Sequence, residues 1–422
     1  MANDDASIRA EWLRLLGVNA PFRLLWSARA VSYLGDSLGL VALMLHVADT
    51  TGRALAVALL LLVGDFAPAL LGPLAGTLAD RLDRKRVMVS CELVQGVLVA
   101  ATALWLPPPP LLLMLVGLRA LAGQVFQPGS RAAVPALVPG ADLERANAAI
   151  GIATNGGETL GPLSAALLLP VLDVRGVLLL DAASFLVSAA LLGRLPGMPR
   201  PGSGRPARFL ADTRAGLRYL WGESTVRAVA LGYFAVVACN GVDDVALVFL
   251  ATDTLGAGGS AVGLLLGAVG IGLLVGYALL ARTRARVPIV ALLLVGFAVS
   301  SAGNLLTGLA GAVVAAFLVQ AVRGLGIAGM DVAANTVLQR IVPPALLGRV
   351  FGSLYGAIGV AAALAYLLGG LLLDRTTPRI TFVIAGAGGL LATLATAAAL
   401  RHAIREPYPG PLPPGAGKEP GG

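Results

Sequence analysis

GLRALAGQVFQPGSRAAVPALVPGADLER (residues 117–145) and AVRGLGIAGMDVAANTVLQRIVPPALLGR (residues 321–349) overlay without a gap at an offset of 204. Arg119 falls on Arg323, Pro139 on Pro343, Leu143 on Leu347 and Arg145 on Arg349. One matched arginine would mean little, but these matches at a single offset argue for an internal duplication. Each stretch begins inside a long apolar run that further apolar runs precede and follow, so the repeated unit is a set of membrane spans.

Composition agrees. Of 422 residues, 57% are hydrophobic and 13% charged, and the mean hydropathy is +0.84, which excludes a soluble globular enzyme. A hydrocarbon core needs about 20 apolar residues per helical crossing. Runs bounded by charge, Pro or Gly predict twelve spans, at 24–47, 54–79, 87–106, 111–130, 146–170, 176–193, 228–251, 260–281, 288–308, 312–333, 350–373 and 380–400. The polar first 23 residues do not read as a cleavable signal.

Charge sets the orientation, because Lys and Arg accumulate in cytoplasmic segments. With the N-terminus inside, cytoplasmic segments hold 24 of the 31 basic residues, and external loops hold only Arg53, Arg175, Arg375 and Arg379. A miscounted span would invert every later loop and destroy this bias, so it supports twelve spans and two cytoplasmic termini together. The net charge of +8 therefore describes a positive inner face and requires no nucleic acid.

The expected organisation is a cytoplasmic N-terminal segment (1–23), a six-helix half (24–195), a cytoplasmic central loop rich in Pro, Gly and Arg (196–224), a second six-helix half (225–402) and a Pro/Gly-rich cytoplasmic tail (403–422). The fold class is all-α and polytopic, with two pseudo-symmetric halves. Parallel six-span repeats are a transporter architecture, with the substrate site near the midplane between the halves. The two Cys and two His form no ligand set, and no paired catalytic residues stand out. Neither a metal, a cofactor nor an enzymatic reaction is expected.

GTLADRLDRKR (76–86) lies between spans 2 and 3. It resembles the signature G-x-L-x-D-R-x-G-R-[KR] of the major facilitator superfamily, with Gly76, Leu78, Asp80, Arg81, Arg84 and Lys85 matching and Asp83 standing where the pattern has glycine. The resemblance extends over about residues 22–402. It narrows to the exporter branch of macrolide-efflux and siderophore-exporter-like proteins through FRLLW (22–26) with Gly35-Asp36, LLLDAASFLVSAAL (178–191) and VLQRIVPPALLGRVFG (337–352). It implies that Asp80 with Arg84 locks the cytoplasmic gate against the start of span 11, near residues 348–350. It also implies that Arg119, with Gly123, serves proton coupling, and that Gly157, Gly161 and Pro162 form an antiporter-like element in span 5. The further glycines of that element are absent, and close helix packing is the competing reading.

Ionisable groups inside a membrane cost several kcal/mol and are functional candidates until a partner explains them. Asp36, Asp65 and Glu158 each lie about eleven or twelve residues into their spans, near the midplane, as does Arg323. The expectation is that Asp36 or Glu158 exchanges a proton for substrate. The alternative is a permanent ion pair with Arg119 or Arg323. Asp65, Asp243 and Asp244 are read as helix contacts or vestibule residues, and Asp181 as structural. The expected protein is an inner- or plasma-membrane monomer exporting a lipophilic drug-like molecule by proton antiport, its partners being lipid, substrate and protons. A siderophore or metabolite exporter is the alternative within the fold. A transport-dead sensor and a membrane enzyme are rivals from other classes.

Overall fold

The computed structural model describes residues 15–66, 83–139, 142–197, 209–282 and 288–401. Within them the chain is helical, and ten segments are long and apolar enough to cross a membrane. The first half contains α1 (Ala20–Thr51), α2 (Ala54–Leu61, extended by a π-helical turn Leu62–Phe66), α3 (Arg84–Trp105), α4 (Pro109–Leu137) and α5 (Leu143–Gly193). After α6 (Phe209–Gly222) the second half follows: α7 (Ser224–Asn240), α8 (Asp243–Phe249, with a π-helical turn Leu250–Thr254), α9 (Gly259–Arg282), α10 (Ile289–Gly308), α11 (Val313–Ile341), α12 (Pro344–Leu373) and α13 (Pro378–Ala399).

Helix ends fall where local chemistry stops the ladder. The Asn19 side chain caps α1 by accepting from Phe22 N at 3.0 Å, with Pro21 in the first turn, and Gly52 ends the helix at φ 61°. Helix α5 is long enough for two crossings and holds both predicted spans 5 and 6. It is broken at Asp173, which takes a left-handed φ of 51° between Pro170 and Gly176. The break lies inside the predicted 170–176 boundary. Helix α2 covers the outer part of predicted span 2; the rest of that span lies outside the described residues.

The central loop differs from its expectation. Residues 209–222 form a helix that packs along the start of α12, where Gly216 lets its backbone close on Arg349 and Ser353. The Tyr219 hydroxyl donates to Ile341 O at 3.1 Å, and Leu220 joins Val226, Leu338, Val350 and Leu354 in an apolar cluster. The surrounding Pro, Gly and Arg residues masked a short amphipathic pattern.

The core is distributed unequally across the membrane. Here the face bearing Arg84 and Lys85 is called inner, following the arginine bias. Toward the outer face one continuous cluster runs through both halves, joining Val41, Leu45, Val57 and Leu61 to Val245, Val248, Val262 and Leu373. Toward the inner face the clusters are separate. One holds Phe22, Met88, Phe126 and Leu192 of the first half, and two hold Phe297, Met330, Leu338 and Leu354 of the second. Among the described residues the halves thus share one apolar cluster toward the outer face and have separate clusters toward the inner face.

Candidate transport site between and within the halves

The duplicated arginines occupy equivalent places. Arg119 on α4 forms an ion pair with Asp36 on α1, and Arg323 on α11 forms one with Asp243 at the start of α8. Each half therefore ties its fourth predicted span to its first by one guanidinium–carboxylate contact. Their surroundings diverge. Side-chain exposure is 6% and 8% for Arg323 and Asp243, against 14% for Arg119 and 40% for Asp36. Arg323 also donates to Gln320 Oε1 at 3.2 Å, and Gln320 in turn to the Thr307 hydroxyl at 3.2 Å. Nearby, Asn304 donates to Asn240 Oδ1 at 3.1 Å and Asn240 to Ser301 at 3.0 Å. A closed pair within a packed polar network has no room to exchange partners.

The Arg119–Asp36 pair instead borders a polar cavity of about 160 Å³ within the first half, lined also by Tyr33, Glu92, Gln95, Gln124 and Gln127. Gly35 and Gly39 bring α1 close to the α5 side chains Asp181 and Ser184, where a Cβ would collide with them. Asp181 lies near enough to Arg119 for their charges to interact.

The span 5 element is explained first by packing. A Cβ on Gly157 would lie 2.9 Å from Tyr33 Cβ, and one on Gly161 would lie 2.6 Å from the Ser37 hydroxyl oxygen, so both glycines let α5 close on α1 beside Asp36. Pro162 lacks the N–H that would bond Glu158 O four residues earlier. That carbonyl accepts from the Ser37 hydroxyl at 3.4 Å instead. The proline thus shapes the helix where Glu158 projects.

Glu158 lines a second cavity of about 240 Å³, formed by α1, α2 and α5 of one half and α8, α9 and α12 of the other. Its walls are mostly apolar, including Leu40, Met44, Leu61, Leu266 and Leu273. Two carboxylates, Glu158 and Asp244, reach it from opposite halves. The sequence placed both acids within spans; it carried no signal that they share one cavity, because their positions are 86 apart in the chain.

Of the loop motif, Gly76, Asp80 and Arg81 lie outside the described residues, as does Asp65 but for its backbone. Arg84 and Lys85 open α3, and Lys85 Nζ donates to Leu195 O at 2.6 Å, tying α3 to the end of α5. Asp83, the departure from the motif's glycine, has φ −63° and accepts from Arg86 N at 2.9 Å as the cap of α3. No glycine is needed at that φ.

At the outer face, the Asp374 carboxylate at the end of α12 accepts from Ala54 N at 2.6 Å and Leu55 N at 3.4 Å, capping α2 of the opposite half. Gly370 lets α12 approach the same turn at Leu55 and Ala58. Two further groups went unassigned from the sequence. Asp331 on α11 accepts from Tyr233 on α7 and from the Tyr277 hydroxyl on α9 at 3.0 Å, and Glu92 on α3 is buried at 1% exposure. Their only signal was a lone acid in an apolar run, shared with structural residues. Among the described residues no group of three or more His, Cys, Asp or Glu could hold a metal ion.

Comparison with known proteins bears on this geometry. The chain is 26% identical over 392 residues to an uncharacterised MFS-type transporter of Bacillus subtilis (strain 168), covering 86% of this chain and 89% of that one. It is 22% identical over 385 residues to macrolide efflux protein A of Streptococcus pyogenes, covering 86% and 92%. In fold it is similar to the nucleoside transporter NupG, with a TM-score of 0.75 at 13% identity over 90% of this chain and 99% of that one. A bacterial homologue of the human lysosomal transporter Spinster, in an inward-facing and occupied conformation, gives a TM-score of 0.72 at 16% identity over 90% and 96%. The model of the transmembrane secretion effector family matches residues 18–407. A duplicated arginine pair and a cavity between the halves are accordingly the features of a membrane transporter, and the chain belongs to the transmembrane secretion effector family of MFS-type transporters.

Proposed function

We propose that the protein exports a lipophilic small molecule from the cytoplasm by alternating access, driven by protons moving inward, with both termini cytoplasmic. The observation that carries this reading is the contrast between the two arginine pairs: Arg323–Asp243 is closed, whereas Arg119–Asp36 borders a cavity that a proton can enter. Protonation of Asp36 neutralises the carboxylate, frees Arg119 to turn toward Asp181 and loosens α1 from α4. Loss of the proton restores the pair. Arg323 holds the second half together as the fixed counterpart of this switch.

Substrate binds in the inter-half cavity against its apolar walls. Glu158 and Asp244 there favour a cationic or neutral molecule and oppose an anionic siderophore, because an anion would meet two carboxylates. Glu158 gives up substrate when a proton replaces it. Asp80 with Arg84 braces the closed inner gate against the start of α12, and Asp374 braces the outer gate in the inward-facing state. The same geometry supports an exporter over a sensor, since both acids meet in a cavity that a bound molecule would fill.

Everted vesicles offered a panel of lipophilic dyes, macrolides and siderophores test the proposal. Uptake of at least one cationic or neutral compound is expected, and it should stop when an ionophore collapses the proton gradient. Uptake that continues unchanged after collapse contradicts proton coupling, and uptake confined to anionic siderophores contradicts the substrate class.

A further inference from the structure

Within the first half, Asp36, Glu92 and Asp181 stand against two described cations, Arg29 and Arg119. Both cations are engaged. Arg119 pairs with Asp36 and faces Asp181, while Arg29 donates to Ser130 at 2.5 Å and to the Tyr33 hydroxyl at 3.2 Å, with its guanidinium 5.3 Å from the centre of the Tyr33 ring. Glu92 is 1% exposed. The Ser32 hydroxyl meets its Oε1 at 3.4 Å, and Oε2 has no hydrogen-bond partner among the described residues. A buried carboxylate with a bare oxygen and no cation of its own is costly, whereas the neutral acid can turn its O–H into the adjoining polar cavity.

The groups packed around Glu92 come from three helices. From α1 it meets Arg29 and Ser32, from α5 Asp181 and Ser188, and from its own helix Cys91. Across the cavity lie Arg119 and the amide side chains of α3 and α4. By helical rise Glu92 lies about 12 Å from the inner end of α3, and Asp36 about 24 Å from the inner end of α1. Glu92 is therefore on the inner-face side of Asp36 along the same cavity.

We propose that Glu92 is a second proton-binding site, the station between Asp36 and the cytoplasm. This deepens the proton-coupled reading above. The O–H bond of protonated Asp36 breaks as Arg119 returns to it, the proton crosses the cavity, and a new O–H bond forms at Glu92 Oε2. Asp36 is left as a carboxylate paired with Arg119, and Glu92 later releases its proton inward.

Infrared difference spectroscopy of the full chain in lipid nanodiscs, titrated through neutral pH, reads the neutral carboxyl directly and needs no substrate. The expected wild-type spectrum holds a carboxylic acid C=O band near neutral pH that disappears in Glu92→Gln and persists in Asp36→Asn. Absence of the band in the wild type, or its persistence unchanged in Glu92→Gln, overturns the proposal. If Glu92→Gln does not fold, Glu92→Asp decides, because a band from this site must move in frequency, and one that stays in place overturns the proposal equally. Transport that ignores the gradient, with the band assigned to Glu92, would instead defeat the coupling reading and leave the protonated site standing.

Discussion

Arg119 on α4 is paired with Asp36 on α1, and the pair has a duplicated counterpart in Arg323 and Asp243 that is buried more than fourfold deeper at its carboxylate, 8% against 40% exposed. Duplication made the two sites; burial separates their surroundings. A carboxylate that a cavity reaches can exchange its arginine for a proton, and one sealed among asparagines, serines and glutamine cannot.

The difference should register in stability. Breaking one partner of a buried ion pair leaves the other charge uncompensated, a cost of about 3–5 kcal/mol. Asp243→Asn is therefore expected to lower the thermal unfolding midpoint in detergent well below wild type, and Asp36→Asn to lower it much less. Equal losses in the two variants would contradict the assignment of fixed and switching pairs.

Glycine spacing in α5 predicts a second contrast. Gly161 has no room for a Cβ against Ser37, whereas Gly156, five residues earlier on another face of the helix, has no neighbouring atom within 4 Å. Gly161→Ala should destabilise by about 1–3 kcal/mol through overpacking, and Gly156→Ala should be neutral or slightly stabilising, since alanine is the better helix former. Unfolding midpoints of the two variants check this.

At the outer face, Asp374→Ala removes the acceptor for Ala54 N and Leu55 N. Loss of a helix-capping carboxylate costs about 0.5–2 kcal/mol, so the population should shift several-fold toward outward-facing. Spin labels at Arg53 and Thr376, which line the cleft beside the latch, would report the change as a longer distance in pulsed electron resonance. An unchanged distribution would remove Asp374 from the gate.

The fold was largely legible because membrane physics leaves few options: apolar runs, arginine bias and a gapless duplication all constrain the same architecture. The break at Asp173 was legible from Pro170 and Gly176. Helix α6 was not, since its amphipathic pattern is short and lies among Pro, Gly and Arg. In the site, Arg119, Asp36 and Glu158 could be picked out as charges at depth, but which acid meets which arginine is a tertiary fact. Nothing in the chain distinguished Asp243, which Arg323 holds, from Asp244, which faces the cavity one residue later. Glu92 was equally silent, because its isolation from any cation of its own appears only when α1, α3 and α5 are packed together.

The central claim is that Asp36 exchanges its bond to Arg119 for the coupling proton. The direct measurement is uptake of a transported compound into everted vesicles carrying wild-type or Asp36→Asn protein, with an imposed proton gradient and, separately, as exchange of labelled for unlabelled compound without one. The account predicts that Asp36→Asn loses gradient-driven accumulation and keeps exchange. Accumulation in Asp36→Asn at the wild-type level, stopped by gradient collapse as in the wild type, would contradict it.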